Sequence, residues 1–314
     1  RGESLNQTFY SVNVDGSGEL ALITPQWLTR LGDGTTARFP TFAPNTHQIL
    51  FNTRLCETKG DTKVCSIGLY RMDADTGKTR ELMAPGSPVQ YEEQNSNFKI
   101  SPDGSKVSVV SSGHLDILDM DGNFISQNIL TYSPSTPIEL IPVQYWLPDS
   151  QGLIVAIPDA VHASAPIPPT QYTVWRYEIG RDAVQIHLTP HPILIYLEPQ
   201  VSPDGKWLFY EGSESEKYAL YLGNLSGGHT QFYAESIDPG EIIWSRDSKY
   251  FSYGSHWIGS VDGKSITIRG IFLDWIDEAR FSYVPSLPPQ MTIGEIADGR
   301  VLSYDLSREY FLIR

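Results

Sequence analysis

A short apolar strand, a Pro-Asp-Gly-type turn and a second apolar strand recur along this chain, and repetition of that kind dictates architecture before any other signal. The unit reads Phe42-Ala43-Pro44-Asn45 before Ile49-Leu50-Phe51, then Ile100-Ser101-Pro102-Asp103-Gly104 before Val107-Ser108-Val109-Val110. It returns as Trp146-Leu147-Pro148-Asp149 before Leu153-Ile154-Val155-Ala156, and as Val201-Ser202-Pro203-Asp204-Gly205 before Trp207-Leu208-Phe209-Tyr210. A fifth copy is Trp244-Ser245-Arg246-Asp247 before Tyr250-Phe251-Ser252-Tyr253, and a degenerate sixth is Trp275-Ile276-Asp277-Glu278 before Arg280-Phe281-Ser282-Tyr283. The copies mostly stand about 40–60 residues apart, the length of one propeller blade.

A second hairpin follows each copy, with turns such as Asp73-Ala74-Asp75-Thr76-Gly77, Asp119-Met120-Asp121-Gly122, Asn224-Leu225-Ser226-Gly227-Gly228 and Asp262-Gly263. Asp-Gly and Gly-Gly supply the positive φ that tight hairpins demand. Two hairpins make a four-stranded antiparallel sheet, and radial repetition of such sheets makes a propeller. Sustained helical periodicity is absent from the sequence. The expected fold is therefore all-β, a six-bladed β-propeller in one domain over residues 1–314. The segment Phe9–Thr24 reads as an outer hairpin without an inner partner. Residues 8–24 are expected to close the ring with the last blade; the extra hairpin leaves a seven-bladed alternative.

The turn Ser-Pro-Asp-Gly between two apolar strands resembles the repeat of TolB-like, WD40-like (PD40) β-propellers. Residues 101–104 and 202–205 match it in full, and 44–45, 148–149 and 247 in part, so the resemblance covers most of residues 39–283. Its local logic is physical: Pro fixes φ on entering the turn, Asp caps the turn amides, and Gly takes the left-handed conformation. The resemblance implies a fold shared by periplasmic TolB, the propeller domains of prolyl-oligopeptidase-like enzymes and some lyases. It leaves function open.

Of 314 residues, 23 are Lys or Arg and 37 are Asp or Glu, a net charge of −14. That balance argues against a nucleic-acid partner, since phosphate binding needs a basic surface. No apolar run reaches the roughly 18 residues of a membrane span. The chain opens Arg1-Gly2-Glu3-Ser4 with neither an initiator Met nor an apolar leader, and reads as a mature or trimmed product. Its two cysteines, Cys56 and Cys65, flank a polar loop. A hairpin there would place them opposite each other as a disulfide, and disulfides persist in oxidising compartments. The expected location is extracytoplasmic: periplasmic, secreted or cell-surface. Asn6-Gln7-Thr8 and Asn224-Leu225-Ser226 fit the N-glycosylation pattern.

Strand direction separates the two ends of each blade. One end holds the Ser-Pro-Asp-Gly and Asp-Gly turns. The other holds the long connections 52–66, 84–97, 131–142, 158–172 and 284–290. Long loops on a rigid scaffold are where binding concentrates. On the inner strands the residue before the turn's Ser position reads Phe42, Ile100, Trp146, Val201, Trp244, Trp275, uniformly apolar and expected to pack between blades. The residue before that varies: Thr41, Lys99, Tyr145, Gln200, Ile243, Asp274. The candidate binding pocket is therefore Lys99, Tyr145, Gln200 and Asp274, with Glu198 and Glu241 nearer the mouth.

Catalytic patterns are missing from the sequence. Gly254-Ser255-His256-Trp257-Ile258 fails as a nucleophile elbow at its last position. Asp119-Met120-Asp121-Gly122 and Asp73-Ala74-Asp75 lack the rest of a calcium loop. His187 and His191 flank Pro190, which forbids a helical ligand pair. No catalytic residue, metal ligand set or cofactor is expected. The reading is a monomeric, non-catalytic module that binds a protein or peptide at the loop end, without nucleic acid and without membrane insertion by this chain. The alternative is a propeller enzyme, a polysaccharide lyase or hydrolase.

Overall fold

A computed structural model describes residues 8–11, 17–59, 62–84, 98–111, 113–133, 142–159, 170–193, 198–214, 217–235, 242–254, 256–285, 292–297 and 300–305. The described chain is all-β apart from one short helix, α1 (Pro25–Thr29). A two-stranded sheet pairs β1 (Phe9–Ser11) with β2 (Leu20–Ile23). Six four-stranded sheets follow, each a meander of consecutive antiparallel strands.

Sheet I holds β3 (Thr36–Phe42), β4 (Gln48–Lys59), β5 (Thr62–Asp73) and β6 (Thr79–Met83). Sheet II holds β7 (Phe98–Ile100), β8 (Lys106–Ser111), β9 (His114–Asp119) and β10 (Phe124–Thr131). Sheet III holds β11 (Val143–Trp146), β12 (Gly152–Pro158), β13 (Tyr172–Glu178) and β14 (Val184–Leu188). Sheet IV holds β15 (Gln200–Val201), β16 (Trp207–Glu214), β17 (Lys217–Asn224) and β18 (Thr230–Glu235). Sheet V holds β19 (Ile243–Trp244), β20 (Tyr250–Tyr253), β21 (Trp257–Ser260) and β22 (Ser265–Thr267). Sheet VI holds β23 (Gly270–Trp275), β24 (Arg280–Pro285), β25 (Thr292–Ala297) and β26 (Arg300–Asp305). The chain divides into two compact units, residues 1–166 with 176–184 and residues 167–175 with 185–314, the division passing through sheet III.

The second strand of each repeat is apolar almost without a break because both of its faces are covered. Val107–Val110, Gly152–Ala156 and Leu208–Gly212 are buried throughout. Burial fades outward, and the fourth strands expose Phe124, Val184 and Phe232. In the first unit, Leu50 and Leu69 of sheet I pack on Phe98, Val107, Val109 and Leu118 of sheet II. In the second, Phe209, Leu220 and Leu222 of sheet IV pack on Phe251 and Tyr253 of sheet V. Ile258 of sheet V in turn meets Phe272, Trp275 and Phe281 of sheet VI.

Residues 8–24 carry β1 and β2, which pair with each other, while the four strands of sheet VI come from residues 270–305. Leu22 and Ile23 of β2 and Leu28 of α1 are buried against Ile49, Phe51, Tyr70 and Met72 of sheet I. Trp27 stands edge-on to Phe51 (5.6 Å) and Tyr70 (5.7 Å). The helix begins where the sequence permits one: Thr24 caps it by accepting from Trp27 N (3.1 Å), and Pro25 takes the first turn. One apolar position departs from expectation. Phe42 does not pack between sheets but is 63% exposed, at the end of a strand whose pairing with β4 slips between Arg38 and Thr41. A slip changes which face a side chain takes. The C-terminal stretch Tyr310-Phe311-Leu312-Ile313, which from sequence could serve the same ring closure, lies outside the described residues.

Candidate functional site

The repeated turn is a hydrogen-bonded module in which the serine matters as much as Pro, Asp and Gly. Buried Ser101 donates to Asp103 Oδ1 (2.6 Å), accepts from Lys106 N (2.9 Å), and Asp103 Oδ1 accepts from Ser105 N (2.9 Å). Ser202 repeats this with Asp204 (2.6 Å) and Trp207 N (3.0 Å), and Ser245 with Asp247 (2.8 Å) and Tyr250 N (2.9 Å). Ser260 pairs with Asp262 in the same way at an outer turn. A lysine closes each module: Lys106–Asp103 (3.3 Å), Lys206–Asp204 (3.1 Å), Lys249–Asp247 (2.9 Å) and Lys264–Asp262 (3.0 Å). Partial burial opposes ionisation of Asp103, Asp204 and Asp247, but hydrogen bonds from their Ser and Lys neighbours outweigh it and hold all three below the usual carboxylate range.

The turns also join neighbouring sheets. Gly104 takes φ +71°, and a Cβ there would stand 2.3 Å from Pro44 O of the preceding turn. Ser150 and Ser248 occupy the matching left-handed position at φ 57° and 62°, and their hydroxyls accept from the preceding turns, from Asp103 N (3.1 Å) and Asp204 N (2.9 Å). This end of each sheet is thus committed to structure. Asp73 and Asp119 are likewise occupied in outer turns, by Thr76 N (2.8 Å) and by Asp121 N (2.8 Å) with Asn123 N (2.9 Å).

The residues proposed from sequence divide between the units. In the first, Lys99 (β7) and Tyr145 (β11) hold equivalent positions on adjacent inner strands, and Trp146 Nε1 donates to Lys99 O (2.9 Å). In the second, Gln200 pairs across from Phe209, and its side-chain amide reaches Glu198 O (3.4 Å). Asp274 is exposed on β23, and its carboxylate accepts from Trp275 N (2.8 Å). Trp275 Nε1 donates to Ile243 O (2.9 Å), repeating the indole latch of Trp146 three repeats further along the sequence. Glu241 lies outside the described residues.

Two features stand out at or near the opposite end. The first is the β4–β5 ribbon. Its strands run on beyond the last β3 pair, Thr36–Arg54, and the last β6 pair, Leu69–Met83, as far as Lys59–Thr62. Cys56 and Cys65 face each other across it and are bonded, with Cα atoms 4.0 Å apart. An isolated two-stranded ribbon is marginal in water. A cross-link closing so short a loop offsets that by roughly 2–3 kcal/mol.

The second is Glu211 of β16, missed by sequence reasoning. It is 5% exposed, and among the described residues its Oε2 finds no hydrogen-bond donor. The signal was a lone carboxylate ending the apolar run Trp207–Tyr210. His187 is buried beside Thr230 Oγ1 (3.1 Å), and burial lowers its pKa. His191 stacks on Tyr221 with ring centroids 4.0 Å apart. Among the described residues no group of three His, Cys, Asp or Glu has metal-binding geometry, and no helix is long and apolar enough to cross a membrane.

No protein family's model matches the chain, and no curated protein matches it. Solved structures do. Dipeptidyl peptidase 4 of Porphyromonas gingivalis aligns at TM-score 0.54 and 12% identity, over 96% of this chain and 52% of that one. The eukaryotic initiation factor aligns at TM-score 0.53 and 13% identity, over 96% of this chain and 85% of that one. The β-propeller domain of the trilobed protease of Pyrococcus furiosus aligns at TM-score 0.51 and 15% identity, over 96% and 86%. TolB of Acinetobacter baumannii is matched more loosely, at TM-score 0.40 and 15% identity, over 82% of this chain and 58% of that one. This chain thus spans between half and three fifths of TolB and of dipeptidyl peptidase 4. The fold is that of a β-propeller.

Proposed function

We propose that this propeller, with its six four-stranded sheets as blades, is a monomeric, non-catalytic module that binds a protein or peptide outside the cytoplasm. The observation that carries the reading is the disulfide-linked ribbon, in which β4 and β5 run on beyond their pairing with β3 and β6 at the end of sheet I where the long connections lie. A disulfide implies an oxidising compartment. A ribbon stiffened in this way is a preformed contact element, because less of its conformational entropy remains to be lost on binding. The turn end, by contrast, has its polar groups tied up in the Ser-Asp-Lys modules. The inner-strand residues Lys99, Tyr145, Glu198, Gln200, Asp274 and Glu241 are proposed to vary the chemistry at the loop end of their own sheets.

The test is site-specific photocrosslinking in the source cells. A photoreactive residue at Glu57, exposed on the ribbon, is expected to give a discrete adduct with a protein. The same residue at Asp149, exposed in the turn of sheet III, is expected to give none. Adducts only from Asp149 would place the partner at the turn end. Free thiols at Cys56 and Cys65 in unreduced protein freshly taken from cells would remove the argument for an oxidising compartment.

A further inference from the structure

β4 and β5 pair with each other from Gln48–Asp73 to Lys59–Thr62, but β3 accompanies β4 only as far as Thr36–Arg54. In an antiparallel pair the N–H and C=O of one residue point the same way, and the direction alternates along the strand. Three observations fix that alternation in the ribbon. Ser66 Oγ donates to Leu55 O (3.4 Å), so Leu55 faces β5. Thr36 Oγ1 donates to Arg54 O (3.5 Å), so Arg54 faces β3. Cys56 and Cys65 have Cα atoms 4.0 Å apart, the close spacing of a pair that exchanges no ladder bonds. Arg54, Cys56 and Thr58 therefore direct their main-chain groups outward, while Leu55 and Glu57 direct theirs to β5.

Arg54 meets β3; Cys56 and Thr58 lie beyond its start. The chain enters β3 through a turn in which Thr35 N donates to Gly32 O (3.1 Å). Leu55 packs on that turn, since a Cβ on Gly32 would stand 2.9 Å from Leu55 Cδ2. Among the described residues nothing pairs with the outward amides and carbonyls of Cys56 and Thr58. Glu57 and Thr58 are exposed, and Cys56 is half-buried. An open strand edge is a template for another strand. The disulfide holds this one in register.

We propose that an extended segment of another protein adds to this edge as a strand. It exchanges main-chain hydrogen bonds with Cys56 and Thr58 and sets a basic side chain beside Glu57. Strand addition presupposes the ribbon as the partner surface, as proposed above. Main-chain pairing supplies the affinity of such a contact and the flanking side chains its selectivity. A basic residue suits the exposed Glu57 and the net charge of −14. A second copy of this chain would set that charge against itself.

The test is competition in the source cells. Chain carrying a photoreactive residue at Thr58, whose main-chain N–H is kept, is produced together with an excess of unlabelled competitor, and the adduct yield is measured. The original chain and Asp149→Ala, altered in the turn of sheet III, should suppress the adduct. Thr58→Pro should suppress it roughly tenfold less well, because the ring removes the outward N–H and fills the edge but spares the β4–β5 bonds. Thr58 replaced by its α-hydroxy acid keeps the side chain and loses only the N–H; it should also compete less well, and it serves if Thr58→Pro does not fold. Glu57→Lys should be a weaker competitor too. Full competition by the folded proline or hydroxy-acid chain would overturn strand addition and leave the ribbon as the contact surface. So would an adduct from Glu57 with none from Thr58. Full competition by Glu57→Lys would overturn the basic side chain, and an adduct of twice the chain's mass would overturn the partner in favour of a second copy. No adduct from either position would remove the ribbon as partner surface and strand addition with it.

Discussion

At the scale of single residues, the turn carboxylates and His187 tie stability to pH with the same sign, in separate pH ranges. Asp103, Asp204 and Asp247 titrate below their ordinary value of 3.8 in the folded protein. Their contribution is complete above 3.8 and drains away as pH falls through the depressed folded values, because the unfolded chain takes up protons first. Urea unfolding of Asp204→Asn should show a smaller loss of stability between pH 5 and pH 2.5 than the original protein. Equal losses would mean that the cap does not titrate in the folded state. His187 works in the same direction, in a higher pH range. Burial lowers its pKa from 6.5, so the unfolded chain binds the proton more readily and stability declines as pH drops below 6.5. His187→Gln should flatten that decline between pH 7.5 and pH 5, and an unchanged slope would assign it to other groups. Asp as the turn cap was legible from the repeat itself. The serine was not, because Ser is common in any turn, and only its burial shows that it holds both the aspartate and the next strand.

At the scale of elements, the N-terminal hairpin was legible as a hairpin without strands of its own, and its packing partner was not. Sequence shows that Leu22 and Ile23 need cover; the register of β4 and β5 decides that Ile49, Phe51, Tyr70 and Met72 provide it. Deleting residues 1–24 removes that cover from sheet I. Ile23→Ala, which keeps the hairpin, should cost about 2–5 kcal/mol as a buried large-to-small change. Tyr10→Ala, at an exposed position of β1, should cost less than about 0.5 kcal/mol. Urea midpoints of the three proteins give the comparison. Ile23→Ala and Tyr10→Ala with equal midpoints would mean that the hairpin lies loosely on the sheet. The short helix escaped notice because a five-residue element has no periodicity to detect, although Thr24 and Pro25 carry its start signal. Phe42 was misplaced for a related reason: alternation is counted in steps of two, and the slip between Arg38 and Thr41 upsets the count.

At the scale of the whole molecule, repetition revealed the fold because each Ser-x-Asp turn is read locally, whereas a binding site assembles single residues from different repeats and no spacing marks them as a set. Glu211 shows the limit: it is buried across from Leu220, and no spacing in the sequence marks it. The net charge of −14 is a property of the entire surface and suits a cationic partner, whose association rate should fall with ionic strength. Two double reversals separate overall charge from location, since each changes the net charge by the same amount. Glu198→Lys with Glu241→Lys alters the two acidic residues that the sequence places nearer the mouth. Asp103→Lys with Asp204→Lys alters the turn ends of sheets II and IV and removes two caps. For a partner identified by crosslinking at Glu57, the first pair should slow association and flatten its salt dependence while leaving the melting temperature nearly unchanged. The second should lower the melting temperature but, in protein that remains folded, slow association less. Equal slowing by both pairs would mean that the field of the whole molecule attracts the partner. Slowing by the turn pair alone would put the contact at the turn end, against the function proposed for the ribbon.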